Sequence, residues 1–258
     1  MDFDAFDEDR ASVLERARLA GVSRIVDPGI DFITSQNAIR LAETNEHIFV
    51  AVGLHPNSPG IDDIKIEGLK SLASHPRVVA IGEIGLDYYR QHNDREVQKL
   101  ALVRQLDLAI EMNLPVIIHN RNAENDLEGI LIDWHENLIK QNSPLVSRPG
   151  VLHSFSSNIG FAGELIERNF FIGITGPITF RNAPDLRETI KEIGLECLVV
   201  ETDAPFLAPH PRRGKRNEPS YVAYVAEKLA EIFDCNNEEV SSITSRNAGI
   251  LFNWREED

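Results

Sequence analysis

A chain of 258 residues with 42% hydrophobic side chains can bury a full core, which excludes a disordered polymer, and no apolar run approaches the roughly 20 residues that span a bilayer. Its formal net charge of −15 excludes a protein that coats nucleic acid through bulk electrostatics, although a local basic site remains open. The two cysteines, Cys197 and Cys235, are too few for a disulfide framework, and the acidic start Met1-Asp2-Phe3-Asp4 has no signal-peptide character, so a cytoplasmic protein with reduced, buried thiols is expected.

A helix is expected from near Asp7, with acidic residues in its first turn and Gly21 after its last. Short aliphatic runs then predict strands near 23–27, 48–53, 78–83, 115–119, 150–153, 170–174 and 197–202. Helical spacing falls between them, as with Val103, Leu106 and Ile110 inside 94–112, and Gly194 closes a helix over 184–193. Residues 219–234 and 238–250 read as two further helices. Alternation of this kind implies a parallel sheet with right-handed crossovers, and about 250 residues is the usual size of one (β/α) barrel. No linker divides the chain, so residues 1–258 are expected to form a single domain of α/β class, a TIM-type (β/α) barrel. The strands number seven, whereas such a barrel closes with eight.

Four of the apolar runs end on a residue able to bind a metal: Val-Val-Ala-Ile-Gly-Glu83, Pro-Val-Ile-Ile-His119, Gly-Val-Leu-His153 and Leu-Val-Val-Glu-Thr-Asp203. Carboxyl ends of parallel strands are where a (β/α) barrel assembles its active site, and mixed imidazole and carboxylate donors suit a divalent cation. Each residue alone has a plainer reading: a salt bridge for Glu83, a hydrogen-bonded core role for either histidine, a helix cap for Asp203. Together they point to a metal hydrolase, with Asp203 placed to orient water and take its proton. His55, in Gly53-Leu-His55-Pro56, ends another strand, while His47, His75, His92 and His135 are expected to be solvated. The segment His210-Pro-Arg212-Arg213-Gly-Lys215-Arg216 gathers cations shortly after Asp203; it reads either as a solvated loop or as a seat for phosphate.

Gly-Glu83-Ile-Gly-Leu-Asp87-Tyr88, Ile-His119-Asn-Arg121, Leu-His153-Ser-Phe-Ser, Glu201-Thr-Asp203-Ala-Pro and Arg213-Gly-Lys215-Arg216-Asn217-Glu218-Pro219 together resemble the TatD family of metal-dependent deoxyribonucleases, and the likeness covers essentially the whole chain. The resemblance implies a barrel that hydrolyses DNA phosphodiesters, often exonucleolytically, with one or two divalent ions (Mg, Mn or Zn). Glu83 would bridge the metals, His119 and His153 would complete one site, and Asp203 would serve the other and act as base. His55, Arg121, Arg213, Lys215 and Arg216 would hold substrate phosphates, and single-stranded DNA or DNA ends would be the partner.

Family members open with a strand ending in a His-x-His pair, and here Met1 stands where the leucine after that pair would fall. The uncounted eighth strand and the histidine pair are thus one absence of roughly one strand, read as belonging to a natural start upstream of Met1, the alternative being a barrel that lacks its first strand and keeps only the metal held by Glu83, His119 and His153. The rival expectations are a related amidohydrolase acting on a small ester, lactone or amide, and a metal-impaired barrel that binds DNA without turnover.

Overall fold

The computed structural model describes residues 1, 4–58, 63–90 and 92–254. After a 3-10 turn at Asp4–Phe6, strands and helices alternate as α1 (Arg10–Leu19), β1 (Ile25–Pro28), α2 (Phe32–Glu43), β2 (Ile48–Val52), α3 (Asp63–Ala73), β3 (Val78–Asp87), α4 (Arg95–Met112), β4 (Val116–Arg121) and α5 (Glu124–Lys140). They continue as β5 (Gly150–Leu152), α6 (Ile159–Ile166), β6 (Phe171–Ile174), α7 (Pro184–Ile193), β7 (Leu198–Val200), α8 (Val222–Phe233) and α9 (Asn237–Phe252). Every predicted run forms a strand, and β3 continues beyond Glu83 to Asp87. The first helix starts later than expected: Asp4 lies in the 3-10 turn, and Asp7 instead receives Arg10 Nη2 at 2.6 Å. Among the described residues no helix is long and apolar enough to cross a membrane.

The chain forms two compact units: a central one of Val26–His153 with Glu164–Phe170, and a terminal one of Met1–Ile25, Ser154–Gly163 and Phe171–Asp258. In the central unit β2, β3, β4 and β5 pair in parallel, in chain order. All ten positions of β3 are buried, as a parallel strand covered on both faces requires. Ile81, Leu86, Ile118, Leu106, Leu131 and Phe170 pack this core, and burial of each such side chain contributes about 1.5–3 kcal/mol. Trp134 joins them while donating its indole N–H to Leu106 O at 3.1 Å. Register between β3 and β4 slips between Ile81 and Ile84, and a bulge of this kind re-aims the side chain it carries, here Glu83. Gly85 is paired with His119 at φ 145°, and a Cβ there would sit 2.0 Å from His119 O. Only glycine lets the strands approach at this level.

In the terminal unit β6 and β7 pair in parallel, Ile172 opposite Leu198 and Ile174 opposite Val200. The α9 side chain of Asn247, fully buried, donates to Glu196 O at 3.0 Å and Leu198 O at 2.7 Å, tying that helix to the start of β7. At the other end of the unit, α1 docks through Arg16, whose Nε and Nη2 reach the buried Glu218 carboxylate at 2.9 and 2.7 Å. Ser220 Oγ also donates to that carboxylate at 2.6 Å.

Burial alone would raise the Glu218 pKa, but the hydrogen bonds from Arg16 and Ser220 and the charges of Arg16 and Arg216 together outweigh it and hold the carboxyl below its ordinary value. The ionised form is therefore favoured by folding. Its contribution is complete above the unfolded glutamate value of about 4.3 and is lost as falling pH titrates the group through its lower folded value. Glu218→Gln should destabilise the protein by about 1–3 kcal/mol at neutral pH, discounted because the Arg16 side chain is 43% exposed. Urea unfolding across pH checks this: the variant's deficit should shrink as the medium is made acidic.

Candidate metal centre

Glu83 lies at the β3 bulge and is buried. Its Oε1 shares a 2.8 Å hydrogen bond with His119 Nδ1, on β4, and lies 3.8 Å from His55 Nε2. The two imidazoles meet edge to face with centroids 4.5 Å apart. Donor atoms of His55, Glu83 and His119 all lie within 4.8 Å of one another, a spacing that one cation can satisfy. His119 Nε2 is buried without a hydrogen-bond partner, its nearest carboxylate oxygen being Asp87 Oδ2 at the longer distance of 3.6 Å. A buried imidazole nitrogen without a partner is anomalous in a folded interior. Two imidazoles and a carboxylate are the donor set that Zn or Mn takes, and Mg less readily, so the residues fit a divalent ion.

Beneath this cluster is a second carboxylate. Asp87, 1% exposed, accepts from Asn57 Nδ2 at 2.8 Å and from the backbone N–H groups of Tyr89 and Arg90 at 3.0 and 2.9 Å. Burial pushes its pKa up, yet the His119 contact and these donors more than compensate, holding Asp87 well below the usual carboxylate range. Glu83 behaves alike: desolvation opposes ionisation, and the charges of His153, His119 and His55 with the His119 hydrogen bond draw it down to about 2. His55 is depressed to about 4, chiefly by burial, which leaves its imidazole neutral with a lone pair to offer. His119 moves upward, since Asp87 and Glu83 outweigh its desolvation.

Two buried glutamines on α4 set the backbone on which these groups hang. Gln105 accepts from Leu54 N–H at 2.7 Å and donates to Leu54 O at 3.1 Å, fixing the residue before His55. Gln98 does the same for Asp87, accepting from its N–H at 2.8 Å and donating to its carbonyl at 3.1 Å.

His153 follows β5, donates its backbone N–H to Ile118 O at 2.8 Å, and acts electrostatically on Glu83, His55 and His119. The central unit thus brings Glu83 and His119 together with His55, while His153, the residue after β5, acts on them electrostatically. Arg121 closes β4 opposite Asp87, with its guanidinium 4.0 Å from the Tyr89 ring centroid. His135, expected in solvent, is buried on α5 with Nε2 3.5 Å from Val146 O.

Asp203 and the basic loop belong to the terminal unit. Asp203 has φ 58°, a left-handed conformation that persists only where the surroundings impose it. The imposing group is Asn217, fully buried, whose amide donates to Thr202 O at 2.7 Å and Phe206 O at 2.6 Å while its backbone N–H reaches Pro205 O at 3.0 Å. Glu201 accepts from the Ser154 N–H, and Ser154 Oγ meets Thr175 Oγ1 at 2.9 Å. In the loop, Arg213 lies 4.4 Å from the Phe180 ring centroid and is exposed, as is Lys215. Arg216 is a strut: it donates to Asp9 at 2.7 and 2.8 Å and to Ala5 O, and lies over Phe6 at 4.8 Å. Both cysteines are free and half-buried rather than fully buried.

Asp87, Asn57, Gln98, Gln105 and Asn217 support the site without standing out as candidates in the sequence. Asp87 carries a detectable signal, a second polar group closing the run that Glu83 interrupts. The amides carry none, because nothing in sequence distinguishes a buried glutamine on α4 from a solvated one.

Comparison with known proteins agrees with this geometry. The family model described as TatD related DNase matches residues 1–253. A Bacillus subtilis protein named uncharacterized metal-dependent hydrolase YabD is 42% identical over 248 residues, spanning 96% of this chain and 94% of its own. A Salmonella typhimurium protein named 3'-5' ssDNA/RNA exonuclease TatD is 34% identical, spanning 96% and 94%. The crystal structure of YJJV, a TatD homologue from Escherichia coli K12, superposes with a TM-score of 0.88 at 32% identity, over 98% of this chain and 95% of that one. The fold class is accordingly α/β, of the TIM-type (β/α) barrel kind.

Replacing Gln105 by leucine would leave the Leu54 N–H and C=O buried and unpaired, so a loss of about 2–4 kcal/mol is expected. Affinity for Zn or Mn should fall with it, because His55 is next in the chain. Urea unfolding read beside a metal titration checks both; intact stability would show that Leu54 finds other partners.

Proposed function

Because this chain belongs to the TatD family of metal-dependent hydrolases, we propose that it cleaves phosphodiester bonds of DNA, acting exonucleolytically on single strands or ends. Residues 1–258 are read as one hydrolase domain, since the family match runs through both compact units. The observation that carries the reading is the buried set His55, Glu83 and His119, with one imidazole nitrogen unpartnered. His153 and Asp203 are proposed to complete the metal ligands, one or two divalent ions being held. The free thiols fit a reducing compartment, which we take to be the cytoplasm.

The bound cation would supply Lewis-acid stabilisation of the charge that develops on the phosphoryl oxygens. The chain's own groups do the rest. Glu83 and Asp87 remain ionised and keep the imidazoles aimed. Asp203, held in its left-handed conformation between residues that Asn217 braces, takes the proton of the attacking water as phosphorus gains that oxygen and gives it to the sugar oxygen as that P–O bond breaks. Arg213 and Lys215 draw the strand to an otherwise repulsive, acidic protein, with Arg121 also meeting phosphate and Arg216 keeping the loop in shape.

Labelled single-stranded DNA incubated with Mn or Mg should be shortened, and chelation should stop the reaction. Glu83→Gln should lower the rate by more than roughly 100-fold, since altering groups behind metal ligands alone costs about 10–100-fold. Hydrolysis of a small ester or lactone without any DNA product would overturn the proposal. Arg213→Ala and Lys215→Ala should each weaken DNA binding and reduce the slope of log affinity against log salt by about 0.7. An unchanged slope would remove the loop from the substrate path.

A further inference from the structure

Tyr88 and Tyr89 are neighbours with opposite surroundings. Tyr88 is buried, with its hydroxyl on Asp126 at 2.6 Å and Arg95 over its ring. Tyr89 is 64% exposed although its backbone is rigidly placed, its N–H donating to Asp87 at 3.0 Å. The other oxygen of that Asp87 carboxylate lies 3.6 Å from His119, so the Tyr89 backbone is one hydrogen bond away from the metal centre. The Arg121 guanidinium lies over one face of the Tyr89 ring, 4.0 Å from its centroid, so a base would stack on the other face. Arg121 lies two residues after His119 on β4, hence on the same face of that strand.

An exposed aromatic ring on a fixed backbone, flanked by a guanidinium and next to a metal centre, matches the two chemically distinct parts of a nucleotide. The ring suits the flat face of a base, and the cation suits the adjoining phosphate. A base inside a duplex presents no face to such a ring, whereas an unpaired base does. We propose that Tyr89, with Arg121 beside it, is a stacking platform for an unpaired nucleobase, and that this platform gives the enzyme its preference for single strands. The inference rests on the nuclease reading above and names what that site selects. Stacking contacts base rather than sugar or phosphate, so it is insensitive to sequence and nearly insensitive to salt. The pull of Arg213 and Lys215 on the backbone is salt-sensitive by contrast.

The test compares the metal-loaded protein's affinity for two short phosphorothioate strands, an oligothymidylate and the same backbone without bases, by fluorescence anisotropy. Backbone and metal contacts are common to both strands and cancel in the ratio. Wild type should prefer the base-bearing strand by roughly 5- to 150-fold, the range for one stacked base. Tyr89→Ala should bring the ratio near unity, while Tyr89→Phe should keep it, which separates loss of the ring from loss of fold. The wild-type ratio should hold between low and high salt as both affinities fall. A wild-type ratio near unity, or one that Tyr89→Ala leaves intact, overturns the platform. If strands are bound and hydrolysed but the ratio ignores residue 89, the inference alone fails. If neither strand binds and single-stranded DNA is not hydrolysed, the nuclease reading fails and takes the platform with it.

Discussion

Two ionised carboxylates, Glu83 and Asp87, are held inside the central unit four positions apart on one strand, and the neighbouring architecture is what makes that tolerable. A buried carboxylate carries an effective desolvation penalty of several kcal/mol, so each must be met by donors or opposite charge. Asp87 is met by an asparagine amide and two backbone N–H groups, with His119 at 3.6 Å beyond them. Among the described residues, the Glu83 carboxylate has His119 at hydrogen-bonding distance and His55 somewhat farther. That asymmetry separates their roles. Asp87 is satisfied by protein and behaves as support, whereas Glu83 and the free edge of His119 retain capacity for a cation.

The bulge in β3 and the glycine at 85 follow from the same constraint. A regular β3 would keep Glu83 in ladder register with β4, and a side chain at 85 would push β4 away, carrying His119 with it. The α4 glutamines extend the control. Residues 98 and 105 are two helical turns apart on one face, so a rigid helix spaces Leu54 and Asp87 through amide pairs on both. A helix face that ordinarily carries leucine here carries hydrogen bonds, and the gain is orientation of the groups that follow rather than apolar burial.

The strands are legible because parallel strands buried on both faces leave apolar runs. Glu83 and His119, whose donor atoms lie close enough to share one cation, stand out as polar residues that interrupt such runs. The position of His55 among them could not be read, since it lies beyond β2 and its direction depends on the chain turn that Gln105 anchors. Arg216 shows what the sequence leaves out: it displays the charge without the partner, and Asp9, which that guanidinium meets, lies 207 residues away in the chain. The first helix was placed too early for a related reason: Asp7 resembles a helix start, yet its carboxylate pairs with Arg10 at the head of the helix proper.

Net charge is equally misleading when read as a sum. The formal charge of −15 is spread over a molecule in which several acids are already matched, Asp9 by Arg216 and Arg16, Glu218 by Arg16. These pairs make the basic loop less cationic than its composition suggests, because Arg216 is committed to shape. Arg213 and Lys215 remain exposed, and a polyanion approaching them meets a local field set within about one Debye length, roughly 8–10 Å in ordinary salt, rather than the charge of the whole chain. An acidic protein can therefore handle an acidic polymer at one place while repelling it elsewhere. Such a surface would suppress unspecific coating by any polyanion and confine contact to the residues whose charge is not already matched internally.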